Sequence, residues 1–94
     1  MISNQILKET ISGMKEVTGI DLCILDLSGR IVVTTMEVQE SLTEHATEFA
    51  ESMAESQVID GFQYFKIFDE QRLEYILLVN GMSENAYTIG KLAV

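Results

Sequence analysis

The sequence predicts an α+β domain, an antiparallel sheet of four or five strands with helices packed on it, in the order α-β-β-α-β-β-α. Three observations predict it. Ser3–Thr18 and Ser41–Met53 repeat apolar residues at helical spacing. Ile20–Thr35 consists of two short apolar runs around Leu27-Ser28-Gly29. Ser56–Gly81, SQVIDGFQYFKIFDEQRLEYILLVNG, holds most of the aromatic residues and has the β-branched and aromatic enrichment of two long strands joined by a polar turn.

In the first helix Leu7, Ile11, Met14 and Val17 share a face, Ser3 is placed to cap the N-terminus, and Gly19 is suited to close the C-terminus in a left-handed conformation. The run IDLCILD then turns through Leu27-Ser28-Gly29 into Arg30–Thr35, a tight hairpin in which Asp26 and Ser28 hydrogen-bond local backbone. Ser41-Leu42-Thr43-Glu44 matches a capping box, and Leu42, Ala46, Phe49 and Met53 follow at i, i+4, i+7 and i+11. Glu44, Glu48, Glu51 and Glu55 line the other side of that helix without cations, so the packed face must stabilise it.

The second hairpin turns at Asp69-Glu70-Gln71. A three-residue loop sets Lys66 opposite Glu74 and Phe65 opposite Tyr75, and gathers Phe65, Ile67, Leu73, Tyr75, Leu77 and Val79 on one face. Tyr64, Lys66, Phe68, Ile76 and Leu78 fall on the other, also largely apolar, so both faces of the sheet should be covered. Two readings stay open for residues 83–94: a last helix from Ser83-Glu84, or a fifth strand on the alternation of Tyr87, Ile89, Lys91 and Ala93. The apolar Leu92-Ala93-Val94 suggests that residues 1–94 are one domain at the N-terminus of a longer protein.

Ninety-four residues, 47% of them hydrophobic, support one core that buries roughly 60–65% of the unfolded surface without metal or disulfide. No apolar run reaches the roughly 18–20 residues of a membrane span and no signal peptide pattern is present, so the expected location is the cytoplasm. The single Cys23 lies in an apolar strand and reads as a buried, inert thiol. A net charge of −9, from 15 acidic and 6 basic residues with no Lys or Arg between Ile31 and Phe65, argues against direct nucleic-acid contact. With one His, one Cys and no HExxH, CxxC, GxSxG or P-loop pattern, the expectation is a non-enzyme without cofactor or metal. His45, flanked by Glu44 and Glu48, reads as a solvated helix residue, since a metal site needs three or four ligands. Thr34, Thr35, Tyr64, Lys66 and Tyr75 are the candidate ligand-binding set, polar tips on apolar stems between sheet and helix, with Lys66 or Arg30 as counterion for an organic acid.

The segments SNQILKETISGM, TGIDLCILDLSGRIVVTT and ESQVIDGFQYFKIFDEQRLEYILLVNG together resemble the N-terminal part of bacterial sugar-diacid (carbohydrate diacid) transcription regulators, related to the purine-catabolism regulator group. PAS/GAF-like and profilin-like folds share the predicted layout. The resemblance implies a domain that senses a small molecule, with DNA bound by a separate downstream domain. A homodimer is the expected assembly, and a ligand-free dimerisation or protein-interaction module of the same regulator is the alternative.

Overall fold

The computed structural model describes residues 3–81, in the order α1 (Asn4–Thr18), β1 (Leu22–Asp26), β2 (Ile31–Thr34), α2 (Glu40–Glu51), β3 (Ser56–Ile59), β4 (Phe62–Asp69) and β5 (Arg72–Asn80). The fold is α+β, with two helices and a five-stranded antiparallel sheet in the order β2-β1-β5-β4-β3. Residues 83–94, for which a last helix or a fifth strand stayed open, lie outside the described residues, and the fifth strand of this sheet precedes them. It comes from the expected first arm of the long hairpin, which is two strands. Asp60 and Gly61, at φ 50° and 81°, make a two-residue turn between Ile59 and Phe62. Asp-Gly is a strong hairpin signal because both residues tolerate positive φ, and here it outweighs the apolar continuity of the run.

The β4–β5 connection is also tighter than the three-residue loop expected. Asp69 pairs Arg72 across Glu70 and Gln71, both at positive φ. Between Ile67 and Phe68 the register then shifts, leaving Glu74 as the extra residue. Lys66 therefore faces Ile76 rather than Glu74, and Phe65 faces Leu77 rather than Tyr75. The turn moves the register by one and the extra residue by one more, so the predicted faces survive except for Leu73, which joins the opposite side.

Helix α1 lies against β1 and β2 on one face of the sheet. Leu7 and Ile11 pack there with Leu22, Ile24, Phe65, Ile67, Tyr75, Leu77 and Val79. Its local signals are all used: the Ser3 Oγ accepts from the Ile6 N–H at 3.1 Å, and Gly19 caps at φ 74° with its N–H on the Lys15 carbonyl. Val17 departs from the predicted face and is 86% exposed, because ten residues past Leu7 it has rotated about 80° from it around the helix and lines up with the exposed Ile6 instead.

Helix α2 covers the other face, against β4, with Leu42, Ala46 and Phe49 on Cys23, Leu25, Tyr64, Ile76 and Leu78. It begins at Glu40 with Gln39 as a cap that makes no side-chain bond, so the Ser41 capping box is not formed. It ends at Glu51, and Met53, expected on the packed face, is 99% exposed. Ser52 terminates it, its Oγ and N–H both donating to the Phe49 carbonyl. With both helices in place, Tyr75–Val79 of the central strand β5 are buried on both sides.

Candidate functional site

The five residues expected to bind a ligand are divided by the sheet. Tyr64 points to the α2 side, where its hydroxyl donates to the Leu42 carbonyl at 3.2 Å and its ring meets Phe49 edge-on at 5.9 Å. Burial raises the phenol pKa to about 12, with the Asp60 and Cys23 charges adding in the same direction. Tyr75 belongs to the α1-side cluster. Because β4 and β5 are neighbours and these side chains lie on opposite faces, no single pocket receives both tyrosines. Lys66 lies on the Tyr64 side, donating to the Ser52 carbonyl at the end of α2 with its ammonium 5.2 Å from the centre of the Phe49 ring. It thus neutralises the open carbonyl end of α2 rather than pairing Glu74.

Thr34 and Thr35 are likewise engaged. Thr34 Oγ1 donates to the Met36 carbonyl at 2.8 Å and accepts from the Met36 N–H at 3.1 Å. Thr35 Oγ1 accepts from the Leu22 N–H at 2.9 Å and stands 3.0 Å from the Asp21 carboxylate, so it extends the β1–β2 ladder past its last backbone pair. Lys15 bonds the same carboxylate at 3.0 Å and, with Thr35, holds the Asp21 pKa below its ordinary value against a smaller desolvation effect.

The Asp26–Arg30 turn consumes its own donors. Asp26 Oδ1 accepts from the Ser28 N–H at 2.9 Å, the Ser28 hydroxyl at 2.7 Å and the Arg30 N–H at 3.0 Å. Burial pushes the Asp26 pKa up, but these bonds and the Arg30 charge together outweigh it and the net direction is downward. Gly29, at φ 90°, sits against α2, where a Cβ would come within 3.1 Å of both the Thr43 carbonyl oxygen and Thr47 Cγ2. The turn glycine therefore also seats the hairpin on the helix.

Cys23 is fully buried and desolvation pushes its thiol pKa up to about 11. His45 differs from the solvated histidine expected. Its side chain is 29% exposed, and Nδ1 is enclosed without a hydrogen bond, 3.6 Å from Asp60 Oδ2 in the β3–β4 turn.

An open groove of about 500 Å³ lies elsewhere, between α1 and β2. Asn4, Gln5, Lys8, Glu9 and Ser12 form one wall and Val33 the other. Within it, Gln5 Nε2 donates to Glu9 Oε1 at 3.2 Å. Sequence reasoning looked at the aromatic hairpin and missed this groove. Its signal was present all the same, since positions 4, 5, 8, 9 and 12 form an unbroken polar stripe at helical spacing. What the sequence lacked was the docking of α1 beside β2.

The sequence matches no family model and no curated protein.

Proposed function

We propose that this chain is a non-catalytic regulatory domain of a bacterial transcription regulator that takes a small organic effector in the groove between α1 and β2. The observation that carries this reading is the chemistry of the groove: apolar Val33, amide groups from Asn4 and Gln5, a hydroxyl from Ser12, and Lys8 as a cation in a chain of net charge −9. The resemblance to sugar-diacid regulators supports the role. The strand order β2-β1-β5-β4-β3, with helices on both faces, supports a PAS/GAF/profilin-like layout. In this reading the domain works in the cytoplasm as a homodimer and leaves DNA contact to a downstream domain.

A thermal-shift screen of small organic acids, sugars and nucleobases tests it, because an effector at 100 times its Kd adds about 2.7 kcal/mol to stability. Lys8→Ala should remove the shift from an acidic effector. A broad screen without a stabiliser, or shifts indifferent to substitutions at Lys8 and Ser12, would refute the reading.

Exposed residues on α1 favour a second reading, a ligand-free dimerisation module. Ile6 and Val17, 56% and 86% exposed, lie three turns apart on one face with Thr10 and Gly13 between them, a flat strip on which a second helix can lie closely. Sedimentation at low micromolar concentration, with Val17→Lys as control, tests this surface, and a dimer that Val17→Lys breaks and that no compound of the thermal-shift screen stabilises is the outcome expected of the second reading alone.

A further inference from the structure

We infer that β3 is a docking edge for an extended peptide segment of another protein, one that carries lysine or arginine at its ends. Among the described residues the sheet has two edges, β2 and β3. The first is guarded: its pairing with β1 shifts register between Ile24 and Leu25, Arg30 precedes it, and α1 stands against it. β3 has no register shift and no cation beside it, and the charges that flank it are acidic. Ser56–Ile59 pairs with Phe62–Phe65 in unbroken register and contains no charge and no proline.

The ladder fixes which backbone groups face outward. The Glu55 carbonyl accepts from the Lys66 N–H, and Ile59 pairs Phe62 across the two-residue turn. By antiparallel alternation, Gln57 and Ile59 bond inward to β4, while the N–H and C=O of Ser56 and Val58 point away from the sheet. Val58 is 50% exposed and offers an apolar contact beside those donors and acceptors. An added strand would take up these groups as the next rung of the sheet.

Charge decides the occupant. Glu51 and Glu55 precede the edge and Asp60 follows it, its side chain 70% exposed. The next cation along the chain, Lys66, already donates to the Ser52 carbonyl over the Phe49 ring. A second copy paired about a two-fold axis at Val58 would set Asp60 of each chain opposite Ser56 of the other, next to Glu55, and so bring like charges together at both ends of the seam. Cationic residues at the ends of the incoming strand meet the same carboxylates favourably. The inference is independent of the effector groove, which lies at the other edge of the sheet.

Fluorescence anisotropy of the full chain with a labelled synthetic peptide, alternating Thr and Val at its centre and ending in lysines, tests the inference against the same peptide ending in glutamates. The lysine-ended probe should bind saturably, at least about ten-fold more tightly than its counterpart, and more weakly as salt rises. Val58→Pro removes only an outward N–H, so it should reduce binding at least about ten-fold while leaving the melting temperature within a few degrees. Glu55→Lys combined with Asp60→Lys should invert the preference between the probes, which keeps the test decisive if the proline variant fails to fold. Equal affinity for the two probes, no binding of either, or a wild-type dimer that Val58→Pro converts to monomer would each overturn the inference.

Discussion

The two faces of the sheet hold their helices by different means. On the α1 side the cluster is almost wholly apolar and the helix brings its own ends, Ser3 at the start and Gly19 at the finish. On the α2 side the helix is acidic, lacks a side-chain cap, and is fastened by groups reaching from the sheet: Tyr64 to the Leu42 carbonyl, Lys66 to the Ser52 carbonyl, and the Gly29 turn against Thr43 and Thr47. A helix specified locally can be moved as a unit. One fastened from outside takes its boundaries from the partner. The contrast can be broken or sharpened by substitution, and the largest effects should come from the cores.

Phe49→Ala should cost about 3–5 kcal/mol, since it opens a cavity and removes the ring beside Tyr64 and Lys66, while Ile11→Ala should cost about 2–4 kcal/mol. Chemical denaturation measures both, and an Ile11 variant less stable than the Phe49 variant would upset the ranking of the two faces. The glycines come next. Gly29→Ala should lose about 2–3 kcal/mol, combining a left-handed backbone with collision against α2, whereas Gly19→Ala, left-handed but in open space, should lose about 1 kcal/mol. Equal losses would mean that the hairpin does not seat the helix.

Polar fastenings and caps are smaller. Tyr64→Phe should destabilise by about 1 kcal/mol through loss of the bond to Leu42. Ser3→Ala should cost about 1 kcal/mol, and Gln39→Asp should stabilise by about 0.5–1 kcal/mol by supplying the missing cap of α2. A Gln39 variant without gain would show that the α2 terminus is satisfied by the sheet side alone.

The mildest test uses pH. The folded-state pKa of Asp26 lies below its ordinary 3.8, so its contribution is fully present above that value and is lost as pH falls through the lower folded value. Asp26→Asn should therefore flatten the acid limb of the stability profile below about pH 4 and lower the plateau above it. An unchanged acid limb would assign that loss to other carboxylates.

The same division between local and long-range specification explains what the sequence disclosed. Helix α1 and the Asp26–Arg30 turn were legible because their determinants lie within a few residues of one another. The start of α2 was not, because a capping box at Ser41 competes with anchors more than twenty positions away at Tyr64. The five strands fall within the expected count, but the source of the fifth was missed at Asp60-Gly61, where the apolar and aromatic residues on either side masked a turn dipeptide. Faces came out nearly right with the wrong pairing, because parity survives a shift of two and only Leu73 crosses. The candidate site was the least legible part. Tyr64 and Tyr75 were legible as residues of opposite faces, but not that one would be taken up by the Leu42 carbonyl and the other by the α1-side cluster. The polar stripe of α1 was visible, but its neighbour Val33 was not.

The place of β5 has a consequence for synthesis. The last described strand is the middle of the sheet, so β1 has no inner neighbour and β4 no second partner until Arg72–Asn80 has been made. A nascent chain leaving the ribosome must carry its hairpins, with Leu22–Leu25 and Tyr64–Phe65 still wet, until that strand emerges between them. Folding then waits on closure of a loop of more than forty residues from β1 to β5, which makes it slow relative to helical domains of this size. During that interval the unsheltered strands are open to chaperones, and to mispairing with other chains on the same message.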